Sequence, residues 1–99
     1  MKLTIEQIKD TVTDYFKDKP VKRAYLFGSY ARGEADENSD VDILFSLKDN
    51  TRISYFGLAQ FLVDLEKKLS NKVDLVEEET LYPRLVKYID ADKILLFSE

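Results

Sequence analysis

The segment Asp40-Val41-Asp42-Ile43-Leu44-Phe45 constrains this chain more than any other. Its branched and aromatic residues favour a strand. A period of two then sends Val41, Ile43 and Phe45 to one side and Asp40, Asp42 and Leu44 to the other. The fold must therefore contain a sheet with one apolar face to cover and one face that carries carboxylates. The covering elements lie on both sides in the sequence. Thr4-Ile5-Glu6-Gln7 has capping-box form, and Ile5, Ile8, Val12, Tyr15 and Phe16 follow at helical spacing, predicting an amphipathic helix over 4–17. Ser54 can cap a second helix through about Leu69, with Leu58, Phe61, Leu62, Leu65 and Leu69 on one stripe.

Two further strands complete the alternation. Val21 to Phe27 ends in Gly28-Ser29, after which Tyr30-Ala31-Arg32 can begin a short helix and Gly33 to Ser39 forms a polar loop. Lys72 to Glu77 alternates in the same way, with Asp74 opposed to Val73 and Leu75. Pro83 suits the first turn of a last helix through about Ala91, and Ile94 to Phe97 adds a short edge strand. The expected order is α-β-α-β-α-β-α with a small tail. At 99 residues this makes one domain, 1–99, of α/β (α+β) class.

Composition narrows the chemistry. The chain has no Cys and no His, which excludes disulfides, thiolate nucleophiles, zinc sites and imidazole bases. Any catalysis must rest on carboxylates, hydroxyls, Lys or Arg, and backbone amides, with magnesium or manganese as the natural ions. The net charge of −4 argues against nonspecific nucleic-acid binding. Apolar runs such as Ile94 to Phe97 are too short to span a bilayer, and the N-terminal residues lack the apolar stretch of a signal peptide, so a cytoplasmic protein is expected.

The chemistry converges on one block. The short connection between strands 21–27 and 40–46 makes them plausible antiparallel neighbours, and the long helix before the third strand is the usual crossover for a parallel pair. Gly28, Ser29, Asp40 and Asp42 then meet, and Asp74 joins them. Carboxylates at i and i+2 on one strand face lie ~6.6–7 Å apart at their backbones and a neighbouring strand ~4.8 Å away, near enough to share divalent ions. Three acidic groups there cost stability with no structural return, the kind of local inconsistency that marks a functional site. Two metal ions in such a cluster would clamp the attacking and leaving oxygens of a phosphoryl or nucleotidyl displacement. Gly28 permits close backbone approach, and the amides and hydroxyl after it can hold a phosphate.

Gly28-Ser29, ten intervening residues and then Asp40-Val41-Asp42 resembles the signature of the minimal nucleotidyltransferases of the DNA polymerase β-like superfamily. The resemblance runs from the first helix through Asp74 to the terminal Ile94-Leu95-Leu96-Phe97 segment. It implies a polymerase β-like fold, a small mixed sheet with helices packed mainly on one face. It also implies a magnesium-dependent (or manganese-dependent) enzyme that moves a nucleoside monophosphate from ATP or another nucleoside triphosphate to a hydroxyl, releasing pyrophosphate. By position, Asp40, Asp42 and Asp74 are then the catalytic and metal-holding residues, Asp74 also accepting the hydroxyl's proton, while Gly28, Ser29 and Arg32 contact the nucleotide's phosphates. Small members of the family act as antitoxins beside a helical HEPN-type toxin, some by adenylylating it. That partner is accordingly expected here, in a homo- or hetero-oligomer, and the size of the chain, used up by the catalytic core, is consistent with an acceptor carried on another polypeptide. Competing readings are a binding module that neutralises a partner by occlusion, and an enzyme that modifies a small hydroxylated molecule.

Plainer roles compete at single residues. Asp40 could cap a turn while Asp42 faces solvent, Asp74 could be an ordinary exposed strand residue, and Arg32 could pair with Glu34 or Asp36. Lys17, Lys19, Lys22 and Arg23 read as a solvated face, since Lys22 lies six residues before Gly28, ~20 Å along a strand. Glu77-Glu78-Glu79 reads as exposed loop, and Tyr30 as core. Leu44 and Val76 share the acidic side of their strands, either as an apolar patch for a partner or packed under the chain's own tail.

Overall fold

The structure is a computed structural model and describes residues 2–80 and 83–99. Helix α1 (Ile5–Phe16) starts where the capping box predicts: the Gln7 N–H donates to Thr4 Oγ1 at 3.0 Å and the Thr4 N–H to Gln7 Oε1 at 2.8 Å. Then follow β1 (Val21–Phe27), α2 (Gly28–Arg32), β2 (Val41–Leu47), α3 (Tyr55–Leu69), β3 (Val73–Glu77), a 3₁₀ turn over Glu78–Thr80, α4 (Pro83–Asp92) and β4 (Ile94–Ser98). The four strands form one mixed sheet in the order β3-β2-β1-β4. β1 is antiparallel to β2 and β4, and β2 is parallel to β3 across the α3 crossover.

One face of the sheet is the core. Ile8, Val12 and Phe16 of α1 and Phe61, Leu65 and Leu69 of α3 bury against Ala24, Leu26, Val41, Ile43, Phe45, Val73 and Leu96. Phe16 sits at its centre, with ring centroids 5.5 Å from Tyr15, 6.3 Å from Phe45, 5.5 Å from Phe61 and 6.4 Å from Phe97. Helices α1 and α3 thus cover one face, while α2 sits at the end of β1 and contacts α4. Among the described residues no helix is long and apolar enough to cross a membrane.

The opposite face is closed over its far half. Leu44 and Ser46 are only 1% and 2% exposed, although Leu44 lies outside the α1–α3 core. The Ser46 hydroxyl donates to Glu78, whose carboxylate also lies 3.9 Å from Arg23 Nε, and the Lys93 ammonium stands 4.2 Å over the Tyr25 ring. Burial of Leu44 decides between its two readings against an open apolar patch, and one expectation is corrected: Glu78 is a half-buried partner of Ser46 rather than free loop, because the 3₁₀ turn folds back over β2. The Lys17, Lys19 and Lys22 ammoniums pair with Asp14, Asp18 and Asp49, the solvated face expected of them.

Candidate active site

The near half of that face is where the acidic residues lie. Register places Phe27 opposite Asp42 across β1 and β2, and Asp42 opposite Asp74 across β2 and β3. The carboxylate of Asp42 therefore stands between the end of β1 and the start of β3. Gly28 follows Phe27 with φ +76°, a conformation glycine adopts without strain. A Cβ on Gly28 would lie 2.9 Å from Asp42 Cγ and closer still to its oxygen, so the missing side chain is what lets the turn close on the carboxylate.

Helix α2 is held by its own residues. Tyr30 is buried, its hydroxyl accepting the Leu3 N–H at 3.4 Å, and Ala31 packs against the core, so the short helix is anchored on one side. Gly33, with φ +74°, closes it, and the Glu34 N–H donates to the Ser29 carbonyl at 2.9 Å. Anchoring at Tyr30 leaves Gly28 and Ser29 at the rim beside Asp42. Arg32 is exposed and pairs with Glu34, Nε to Oε2 at 3.2 Å.

Asp40 precedes the strand rather than beginning it. The structured loop before it has Ser39 Oγ accepting the Asp36 N–H at 2.9 Å and Asp36 Oδ1 accepting the Asn38 N–H at 2.9 Å. Asn71 ties this loop to the one before β3: its Nδ2 donates to the Ser39 carbonyl at 3.0 Å and the Lys72 carbonyl at 2.9 Å, while the Val41 N–H donates to Lys72 at 2.9 Å. Asn71 thereby sets how Asp40 and Asp74 stand to each other. Sequence reasoning missed it. A short side-chain amide next to Ser70, which ends α3 with φ 51°, was the available signal.

Asp42 carries the electrostatic strain of the site. Burial first, then the charges of Asp74 and Asp40, push its carboxyl up to about 6, against a smaller opposing pull from Arg32. Asp40 and Asp74 are exposed, Asp42 half-buried. Among the described residues no three acidic side chains are already gathered to ion-holding distance. Asp42 and Asp74 are thus opposite each other on neighbouring strands with Asp40 just before β2, without forming a ready-made ion-holding cluster. The donors still fit a hard divalent ion: all are carboxylate oxygens, and the glycine cradle leaves the Asp42 carboxylate facing the rim.

The family described as Polymerase beta, nucleotidyltransferase matches residues 6–99. A protein of Methanocaldococcus jannaschii, named provisionally as a protein adenylyltransferase, is 38% identical over 96 residues, covering 92% of this chain and 96% of that one. Protein adenylyltransferase MntA of Thermococcus cleftensis is 35% identical over 92 residues, covering 88% and 90%. A solved tri-AMPylated Shewanella oneidensis HEPN toxin in complex with MNT antitoxin superposes with a TM-score of 0.73 at 19% identity, over 95% of this chain and 72% of that one. A match over nearly the whole chain, on a sheet that sets Asp42 opposite Asp74 and against the Gly28 turn, places this protein in the polymerase β-like nucleotidyltransferase family.

Proposed function

We propose that this protein is a magnesium-dependent adenylyltransferase that transfers AMP from ATP to a hydroxyl on a HEPN-type toxin, and so acts as its antitoxin. The observation that carries the proposal is the placement of Asp42 opposite Asp74 on the neighbouring strand and against the Gly28 turn that follows β1, in a position that its own charge opposes. The adenylyltransferase relatives and the HEPN complex of the Shewanella protein support the choice of nucleotide and partner.

Asp40, Asp42 and Asp74 would hold magnesium, which supplies charge neutralisation for the triphosphate and the developing oxyanion. The Ser29 hydroxyl and its neighbouring amides hold the terminal phosphates, with Gly28 giving them room. Arg32, paired with Glu34, can swing to a phosphate at the cost of a weak exposed ion pair. Asp74 accepts the proton of the attacking hydroxyl. The chain contains no His or Cys to compete for that role. The site of action is taken to be the cytoplasm.

The test is label transfer from α-phosphate-labelled ATP with magnesium, offering a HEPN-type toxin and a panel of small hydroxylated molecules. Label on the toxin, abolished by Asp42→Asn and by Asp74→Asn, is expected. Label only on a small molecule, or toxin neutralisation that persists at full strength in Asp42→Asn, would replace this reading with small-molecule modification or with occlusion.

A further inference from the structure

Strand β3 enters the sheet beside the site, and the residue just before it is a lysine. Val73 is buried in the core between two exposed neighbours, so Lys72 and Asp74 turn to the same side, the face that carries Asp42. The register that sets Val41 opposite Val73 also sets Lys72 level with Asp40, each one residue before its strand. The Lys72 backbone is pinned there, because its carbonyl accepts the Val41 N–H and Asn71 Nδ2, each at 2.9 Å. Its ammonium is uncommitted, pairing with no carboxylate among the described residues. A cavity of about 400 Å³ opens at this end of the sheet, lined by Asp40 and Lys72 together with Ser39 and Asn71. Its size falls within the ~300–1,000 Å³ of small-molecule sites.

We infer that Lys72 is a substrate-binding residue of the reaction proposed above, on which the inference rests, and that its ammonium holds the α-phosphate of the nucleotide. Ser29 follows β1 and Lys72 precedes β3, so they flank the Asp42 strand at one end of the sheet, two strand spacings of ~4.8 Å apart. That is too far for both to hold one phosphate, and it suits the two ends of a triphosphate. With the terminal phosphates at Ser29, the α-phosphate falls toward β3. Strand β3 itself contains no Lys or Arg, and Arg32 belongs to α2, beyond β1, which leaves Lys72 as the cation on that side. In the transfer the acceptor oxygen bonds to the α-phosphorus, the bond from that phosphorus to the bridging oxygen breaks, pyrophosphate leaves, and the hydroxyl proton passes to Asp74. The non-bridging oxygens of the α-phosphate carry negative charge throughout, beside carboxylates of the same sign. An ammonium on a pinned strand end opposes that repulsion and adds to the neutralisation that magnesium supplies.

Isothermal titration of the full chain with two probes, each in the presence of magnesium, tests this. The first, α,β-methylene-ATP, resists cleavage at the α-phosphorus and carries the whole triphosphate chain. The second, inorganic pyrophosphate, stands for the terminal phosphates alone. Lys72→Gln removes the charge, keeps most of the length and leaves the backbone bonds in place. It should weaken α,β-methylene-ATP about tenfold, the worth of one charge-assisted hydrogen bond, and leave pyrophosphate unchanged. Lys72→Arg should keep most of the nucleotide affinity, whereas Ser29→Ala should weaken both probes. Equal losses of both probes in Lys72→Gln would mean a longer-range effect of charge, and unchanged affinity for both would mean that Lys72 touches solvent only. Either result overturns the inference. If the unsubstituted protein binds neither probe, the nucleotidyltransferase reading itself fails, and this inference with it.

Discussion

Asp42 is the residue at which function and stability pull apart. Its carboxyl is raised from 3.8 to about 6 in the fold. Below pH 4 the folded and unfolded forms both hold the proton. Between about 4 and 6 the unfolded chain has lost it while the fold retains it, so stability falls as pH rises through that window, and the deficit is complete above pH 6. In chelator, Asp42→Asn should therefore be more stable than the parent at pH 7.5, by on the order of 1–2 kcal/mol after allowing for solvent screening, and indistinguishable from it below pH 4. Thermal melts across pH read this directly. Saturating magnesium should stabilise the parent and not the variant, so the order reverses. A metal-free variant no more stable than the parent at pH 7.5 would show that the carboxylates are not strained. Gly28 is coupled to the same atom. Gly28→Ala forces a side chain into φ +76° and into the Asp42 carboxylate, and should cost more than ~1 kcal/mol and most of the nucleotide affinity. Because one clash underlies much of that loss, adding Asp42→Ala should restore part of the stability. A double-mutant cycle that sums without interaction would remove the cradle from the argument.

At the scale of elements, much was legible because the elements were locally consistent. Thr4 and Ser54 cap where capping chemistry places them, and β1 spans the expected Val21 to Phe27. The pairing of β1 with β2 and β2 with β3 is as the connections made plausible, and it brings Asp42 beside Asp74 and the Gly28 turn. What stayed hidden depended on contacts distant in sequence. Alternation puts Leu44 on the acidic face but cannot say that the turn after β3 folds back, or that Glu78 will find Ser46. Strand β2 begins at Val41 because Asn71 and the Val41 N–H close the register there, leaving Asp40 in the loop. Asn71→Ala removes two side-chain hydrogen bonds that brace the loops on either side of the site. It should cost about 1 kcal/mol of stability and, with Asp40 less restrained, weaken magnesium affinity severalfold. Isothermal titration with magnesium checks this. Unchanged affinity would show that the brace serves the fold alone.

The whole molecule divides its labour between the two faces of a four-stranded sheet. One face holds the aromatic core around Phe16, and the other offers carboxylates at one end and a polar closure at the opposite end. A domain of this size has only about 5–15 kcal/mol of net stability, so the core must offset the strain at Asp42. Phe16→Ala deletes the ring that meets four others and should cost about 3–5 kcal/mol, most of the margin. Its effect on the site should nonetheless be small. Phe45, the ring of β2 that Phe16 touches, points away from the acidic face and lies three residues, ~10 Å, from Asp42. Perturbations so separated usually add. Magnesium and ATP at about one hundred times their dissociation constant should then stabilise parent and Phe16→Ala alike, each by about 2.7 kcal/mol. The measurement is urea unfolding of both proteins with and without ligand. Equal increments mean that the site is set by strand register alone, whereas a much smaller increment in Phe16→Ala would mean that the packed core also holds the carboxylates in place.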